Sequence, residues 1–166
     1  MIVTDATALA SLGRADLLGP TLDAFGVRTT PSSVERLERT CAFHGPSGEG
    51  ARAAMDLLDQ FVVRGEARSG LETSRVDAAQ GSCAALAGGL EADALVTDDL
   101  LALPELTRFV PCAVVPTPVV LSALVRRGAL APGDARFRLE DLVVRPRWLA
   151  GPVRRRVGSS FEAATG

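Results

Sequence analysis

The sequence has no lysine, one histidine and only three cysteines, and each shortage limits what the chain can be. Three cysteines without paired spacing argue against a disulfide framework or a thiolate metal site, so we expect them to be reduced. His44 and Cys41 form a Cys-x-x-His pair that lacks the two further ligands of a zinc site. All eighteen basic residues are arginine, which we attribute to biased coding.

Long apolar runs are also absent. Apolar residues make up 47% of the chain, yet no run reaches the ~18 residues of a membrane span. The chain starts with a predicted strand, where a secretory signal would have a basic segment and then an apolar one. We therefore expect a cytoplasmic protein. The net charge of -2 gives no overall attraction to nucleic acid, so any polyanion would need a local basic patch.

The sequence shows no internal repeat and no linker long enough to divide it. A chain of 166 residues buries roughly 68–70% of its unfolded surface as one domain. We predict a single domain over residues 1–166, with residues 132–166 as a C-terminal helical extension. The glycine-rich stretch 45–50 lacks the Gly-Lys-Ser/Thr ending of a phosphate-binding loop, and we interpret it as a flexible linker.

Short apolar strands alternate with helical segments along the chain. We predict strands at residues 1–4, 27–30, 94–97 and 112–115, and at most one more within 62–74. Ser32 and Glu35 have the spacing of a capping box that opens a helix through Thr40, and residues 51–61 have helical periodicity. This alternation predicts a three-layer α/β fold with a central parallel sheet of four to five strands flanked by helices.

Carboxylates follow two of these strands directly. Asp5 follows the first strand, and Asp98 and Asp99 follow the strand that starts at residue 94. If Asp5 and Asp99 lie at adjacent strand ends, two charges 4 Å apart repel by about 4 kcal/mol at an effective dielectric of 20. A raised pKa, an arginine or a hard divalent cation would offset that cost. The residues alone leave other roles open: Asp5 as a helix cap, Glu35 as part of the capping box, and Asp98 with Asp99 as a solvated turn.

Several of these segments, in this order, resemble the PIN domain of metal-dependent ribonucleases. The segments are Val-Thr-Asp-Ala-Thr-Ala-Leu at 3–9, Pro-Ser-Ser-Val-Glu at 31–35 and Glu-Ala-Asp-Ala-Leu-Val-Thr-Asp-Asp at 91–99. The stretch 119–130 is similar to the final helix and turn of prokaryotic PIN-like proteins. The resemblance covers residue 1 to about 130.

The resemblance assigns a role to each acid. It implies that Asp5, Glu35 and Asp99 are the catalytic acids, and that Asp5 and Asp99 hold Mg²⁺ or Mn²⁺ with Asp98 assisting. The family's remaining acid lies in a Gly-acid-Ala pattern on the preceding helix, where this chain has Gly-Ser-Cys and therefore Ser82. Asp77 is a poor replacement because five residues on a helix lie about 140° apart around the axis.

Two functions follow from this departure. The first is a divalent-metal-dependent ribonuclease that hydrolyses RNA phosphodiester bonds. The second is a degenerate, non-catalytic PIN-like module that binds RNA or a protein partner. The resemblance also permits a homodimer and an antitoxin-like partner protein. The arginine runs at 126–127, 145–147 and 154–156 fit solvated helix faces as well as an RNA track.

Overall fold

The structure, a computed structural model, describes residues 1–63 and 71–143 and has strands alternating with helices throughout. The strands are β1 (Ile2–Thr4), β2 (Val27–Thr29), β3 (Val62–Val63), β4 (Ala94–Val96) and β5 (Ala113–Val115). The helices are α1 (Ala6–Arg14), α2 (Leu18–Ala24), α3 (Pro31–Cys41), α4 (Pro46–Met55), α5 (Ala78–Gly89), α6 (Leu103–Phe109), α7 (Thr117–Arg126) and α8 (Pro132–Val143). A 3-10 turn spans Leu58–Gln60.

The five strands form one parallel sheet in the order β3-β2-β1-β4-β5. The predicted three-layer α/β fold is confirmed. β1 is central: Ile2 pairs with Val27 on one side and with Ala94 on the other. The strand order runs outward in both directions from β1, so the carboxyl ends of β1 and β4 form a topological switch point, where open α/β sheets bind ligands.

Apolar cores lie on both faces of the sheet. Ile2 packs into a core with α1 and α7, and Val3, the next residue, packs into a second core with α5 and α6. This alternation is the ordinary consequence of the strand period, in which successive side chains point to opposite faces. The two buried faces explain why the central strands β1 and β4 are short apolar runs without polar alternation.

The capping box predicted at Ser32 and Glu35 is wrong. Helix α3 starts at Pro31, and its N-cap is Thr30, whose side chain accepts a hydrogen bond from Ser33 N at 3.3 Å. A capping box is present instead in α5, where it joins Asp77 to Gln80. Both helices otherwise lie where the sequence predicts them.

Residues 46–50 of the glycine-rich stretch form the start of a helix with Gly45 as its N-cap, and the interpretation of 45–50 as a linker is wrong. α4 starts at Pro46 and ends at Met55, earlier than the predicted 51–61. Its glycines allow α4 and α1 to pack backbone against backbone. A Cβ at Gly50 would lie 2.0 Å from the Ala10 carbonyl oxygen, and one at Gly13 would lie 2.3 Å from the Gly50 oxygen.

The beginning of the C-terminal extension is helical and packs on the end of α1. In α8, Arg138 Nη1 donates to the Ala15 oxygen at 2.7 Å and to the Asp16 oxygen at 2.6 Å. The predicted turn at 68–70 and the arginine runs at 145–147 and 154–156 lie outside the described residues. Residues 1–166 as one domain therefore stay a prediction.

The described helices are short or polar compared with a membrane span. Across 1–63 and 71–143, no helix has the length and apolar content needed to cross a membrane. The cytoplasmic location stays a prediction.

The close approach of α1 and α4 makes a prediction for Gly50→Ala. The added methyl overlaps a backbone oxygen, which cannot move as a flexible side chain can, so we expect a loss of about 1–3 kcal/mol in the free energy of unfolding. Gly89→Ala is the matched control, because a Cβ there meets nothing within 4 Å. Urea unfolding of both variants measures the difference, and equal stability of the two variants would contradict the packing described here.

Candidate functional site at the carboxyl edge of the sheet

Three carboxylates meet at the switch point of the sheet. Asp5 directly follows β1, and its backbone N–H donates to the Val96 oxygen of β4 at 3.1 Å. Asp98 and Asp99 follow β4 after one residue, Thr97. The structure therefore brings Asp5, Asp98 and Asp99 to one edge, as expected for ends of adjacent parallel strands.

Asp5 is almost completely buried, with 2% of its surface exposed. Its Oδ1 accepts hydrogen bonds from Ala8 N at 3.0 Å and Thr7 Oγ1 at 2.7 Å, and its Oδ2 accepts from Thr97 Oγ1 at 2.6 Å. Asp5 is thus the N-cap of α1. Burial raises its pKa above the ordinary value; the three donors act against this rise, and the charge of Asp98 adds to it.

Asp98 fastens the start of α7 to the end of β4. Its Oδ1 accepts a hydrogen bond from Thr117 N at 2.8 Å, and its Oδ2 accepts one from Thr117 Oγ1 at 2.7 Å. The N-cap of α7 is Pro116, which offers no side-chain acceptor. Asp98 takes over that role from a distant part of the chain, and its negative charge is favourable at a helix N-terminus.

Asp99 connects the turn before α6 to helix α5. Its Oδ1 accepts from Leu101 N at 3.0 Å and Ala102 N at 3.3 Å, and its Oδ2 accepts from Gln80 Nε2 at 2.9 Å. Gln80 is 2% exposed. Its Oε1 accepts from Asp77 N at 3.0 Å, so the amide is fixed at both ends. If the amide were flipped, its oxygen would face the Asp99 carboxylate, and two acceptors cannot form a hydrogen bond. The amide of Gln80 therefore has its Nε2 towards Asp99.

Ser82, the residue predicted to stand in for a missing acid, faces elsewhere. Its hydroxyl shares a 2.7 Å hydrogen bond with Thr30 Oγ1 and donates to the Ala79 oxygen at 2.9 Å. The side chain of α5 that reaches Asp99 is Gln80, which the sequence analysis did not single out. The sequence pattern that could have identified Gln80 is the Asp77-x-x-Gln80 capping box, which places residue 80 in the first turn of α5.

Beside Ser82, the thiol of Cys83 is fully buried in a polar cluster. Its Sγ lies 3.1 Å from Ser33 Oγ. Burial raises the pKa of this thiol to about 11, so it stays protonated at neutral pH and is a poor nucleophile.

Glu35 lies on the exposed surface of α3. Two other residues of α3, Arg36 and Thr40, line a cavity beside the strand ends. Arg36 forms an ion pair with Asp77, the N-cap of α5. Within residues 1–63 and 71–143, no three His, Cys, Asp or Glu side chains are grouped so that they could hold a metal ion.

A cavity of about 430 Å³ opens beside the strand ends. Its lining residues are Ala6, Thr7, Ala10, Ser11, Arg14, Arg36, Thr40, Phe43, Pro46, Ser47, Asp98, Asp99, Leu100 and Leu101. The small residues of α1 make one wall. Phe43 and Leu101 are unusually exposed for large apolar side chains, at 64% and 63%. The volume lies in the range of small-molecule and cofactor sites.

Comparison with known proteins does not add to this geometry. No protein-family model matches the chain, and no curated protein is significantly similar to it. The roles of these residues are therefore argued from their contacts.

The fit of a metal ion can be judged from the donors around the acids. Each of the six carboxylate oxygens of Asp5, Asp98 and Asp99 accepts at least one hydrogen bond from a protein N–H or O–H. A hard cation needs several oxygens turned towards it. Asp5 Oδ1 and Asp99 Oδ1 each accept two hydrogen bonds, and no three acidic, His or Cys side chains in the described part of the chain are grouped to hold an ion, so in this arrangement the residues do not fit bound Mg²⁺ or Mn²⁺.

The burial of Asp5 predicts a pH dependence. Because its pKa is raised, the folded chain keeps a proton that the unfolded chain has already released. The stabilisation is complete below the ordinary pKa of 3.8 and is lost as pH rises through the folded pKa. Relative to Asp5→Asn, the unmutated chain should therefore lose free energy of unfolding as pH rises from about 4 to 7.

Urea unfolding at a series of pH values measures this trend. Asp23→Asn, on the exposed surface of α2, controls for the removal of one carboxylate. A difference between the unmutated chain and Asp5→Asn that stays constant or reverses with rising pH would contradict the account.

Proposed function

We propose that this chain is a PIN-like domain that binds single-stranded RNA at the cavity and does not cut it. The observation that carries the proposal is that all six oxygens of the strand-end acids face protein donors, with the Gln80 amide on Asp99. Metal-assisted hydrolysis needs a cation that activates water and stabilises charge on the phosphodiester. Because the oxygens of these acids already accept hydrogen bonds from N–H and O–H groups, the site favours RNA binding without metal-dependent cleavage.

The PIN-like assignment is supported by position as well as by sequence. The parallel five-stranded sheet is compatible with such a fold. Asp5 follows the central strand, and the Thr97-x-Asp99 motif follows its neighbour β4, which are the places that the resemblance gives to those acids. The family assignment itself remains part of this proposal.

RNA is supported by the chemistry of the cavity rim. Phe43 offers an exposed ring on which a base can stack. Arg36 lines the same cavity and offers a planar guanidinium, which suits phosphate oxygens, once it exchanges its ion pair with Asp77 for a phosphate. Arg14 lines the same cavity, so two arginines supply the positive charge there. The nearby carboxylates limit the affinity and make it salt-dependent.

The metal-dependent ribonuclease is the second candidate. It is favoured by the convergence of Asp5, Asp98 and Asp99 at adjacent strand ends, with Asp98 and Asp99 lining the cavity. It would require the Gln80 amide to leave Asp99 and the hydroxyls of Thr7 and Thr97 to rotate. Glu35 as a catalytic acid, a homodimer and an antitoxin-like partner protein stay predictions.

RNA binding is tested by fluorescence anisotropy with a labelled single-stranded oligonucleotide. Phe43→Ala should weaken binding about fivefold or more, because stacking on an aromatic ring contributes about 1–3 kcal/mol per base. Phe109→Ala is the matched control: Phe109 is 61% exposed on α6 and does not line the cavity. No binding by the unmutated chain, or an equal loss in both variants, would contradict the proposed site.

Cleavage is tested on the same oligonucleotide with Mn²⁺ or with a chelator. We expect the RNA to stay intact in both, since the acids are held by protein donors. Cleavage that needs Mn²⁺ and disappears in Asp99→Asn would establish the ribonuclease and refute the non-catalytic proposal. The Asp99 variant is needed because a contaminating nuclease would be unaffected by it.

A further inference from the structure

We infer that Gln80 is the positioning residue that keeps divalent cations away from Asp99, and that a carboxylate at position 80 would create a cation site there. This inference rests on the proposed non-catalytic function and identifies the side chain responsible for it. The strand-end acids suggest a metal site, but the hydrogen-bond donors around them do not fit a bound cation. At Asp99, which lines the cavity, Gln80 supplies one of these donors.

The amide is held in one orientation by contacts at both ends. Nε2 donates to Asp99 Oδ2 at 2.9 Å, and Oε1 accepts from Asp77 N at 3.0 Å. Asp77 is in turn paired with Arg36 of α3. With 2% of its surface exposed, Gln80 has little room to move aside. Its NH₂ group therefore occupies one of the two lone-pair directions from which a cation could approach Oδ2 of Asp99.

Glutamate has nearly the same shape as glutamine but offers two acceptors. At position 80 it would keep the capping box, because either residue accepts the backbone N–H of the N-cap. Its second oxygen would then face Asp99 Oδ2 with no hydrogen between them. Two carboxylates in contact, one at buried position 80 and one on half-buried Asp99, need a shared proton or a cation. Carboxylate and water oxygens are the ligands that Mn²⁺ and Mg²⁺ prefer.

Position 82 provides a contrast within the same helix. The hydroxyl of Ser82 bonds Thr30 and the Ala79 oxygen, whereas Gln80 bonds Asp99. An acid at position 82 would enter the buried hydroxyl cluster around Thr30. Ser82→Asp therefore adds the same charge to α5 without adding a ligand to Asp99.

The test is the melting temperature with and without millimolar Mn²⁺, and it needs no RNA. The unmutated chain and Ser82→Asp should not respond. Gln80→Glu should melt about 4 °C higher with Mn²⁺, as expected for a ligand well above its dissociation constant. Adding Asp99→Asn to Gln80→Glu should abolish the shift. A role of Gln80 in helix capping alone would not change the response to metal.

Several outcomes would overturn the inference. They are a folded Gln80→Glu variant without a shift, a shift that survives Asp99→Asn, an equal shift in Ser82→Asp, or a shift in the unmutated chain. If Gln80→Glu does not fold alone, Mn²⁺ should restore its circular dichroism spectrum. Gln80→Ala, which removes the donor without adding charge, should show a smaller shift that depends on Asp99, and no shift in it would also refute the role of the amide.

Failure here and failure of RNA binding can be told apart. If Mn²⁺ does not shift the melting temperature of Gln80→Glu, the proposed RNA binding is unaffected, because binding at Phe43 and Arg36 does not depend on this amide. Absence of RNA binding leaves the Mn²⁺ result unaffected.

Discussion

The crowding of three carboxylates at the ends of two neighbouring strands is the constraint on which the rest of the molecule depends. Burial and the charge of Asp98 both disfavour an ionised Asp5, so these carboxylates need compensation from protons, arginines, metal ions or hydrogen-bond donors. Here donors from five segments supply it: α1, the end of β4, the turn before α6, the start of α7 and α5. Each bond that offsets the repulsion also attaches an element to the sheet.

The same contacts stabilise the fold and determine what the carboxylates can bind. Asp5 caps α1, Asp98 holds α7, and Asp99 holds the turn that leads to α6. A metal bound by these carboxylates would have to share their oxygens with donors that organise three helices. The cavity beside them has an exposed ring and an arginine at its edge, and the RNA binding that we propose uses these two groups and does not require the acids to react.

Much of this could be predicted from the sequence, and the misses have physical causes. Short apolar runs gave the parallel sheet, because both faces of its strands are buried, and Asp5, Asp98 and Asp99 lie at one edge because parallel strands end together. The helical stretch 46–50 was missed because glycine has a low local helix propensity, while the close approach of Gly13 and Gly50 is a tertiary contact. Gln80 was missed because which α5 residue faces Asp99 depends on the rotation of that helix against β4.

The central claim is that protein donors hold the strand-end carboxylates in an arrangement that does not bind a metal ion. A crystal structure of the unmutated protein grown with Mn²⁺ tests it most directly, through the anomalous difference density. The account predicts no anomalous peak beside Asp5, Asp98 or Asp99, and Gln80 Nε2 within hydrogen-bond distance of Asp99. A peak bound by those carboxylates, with the amide turned away, would contradict it.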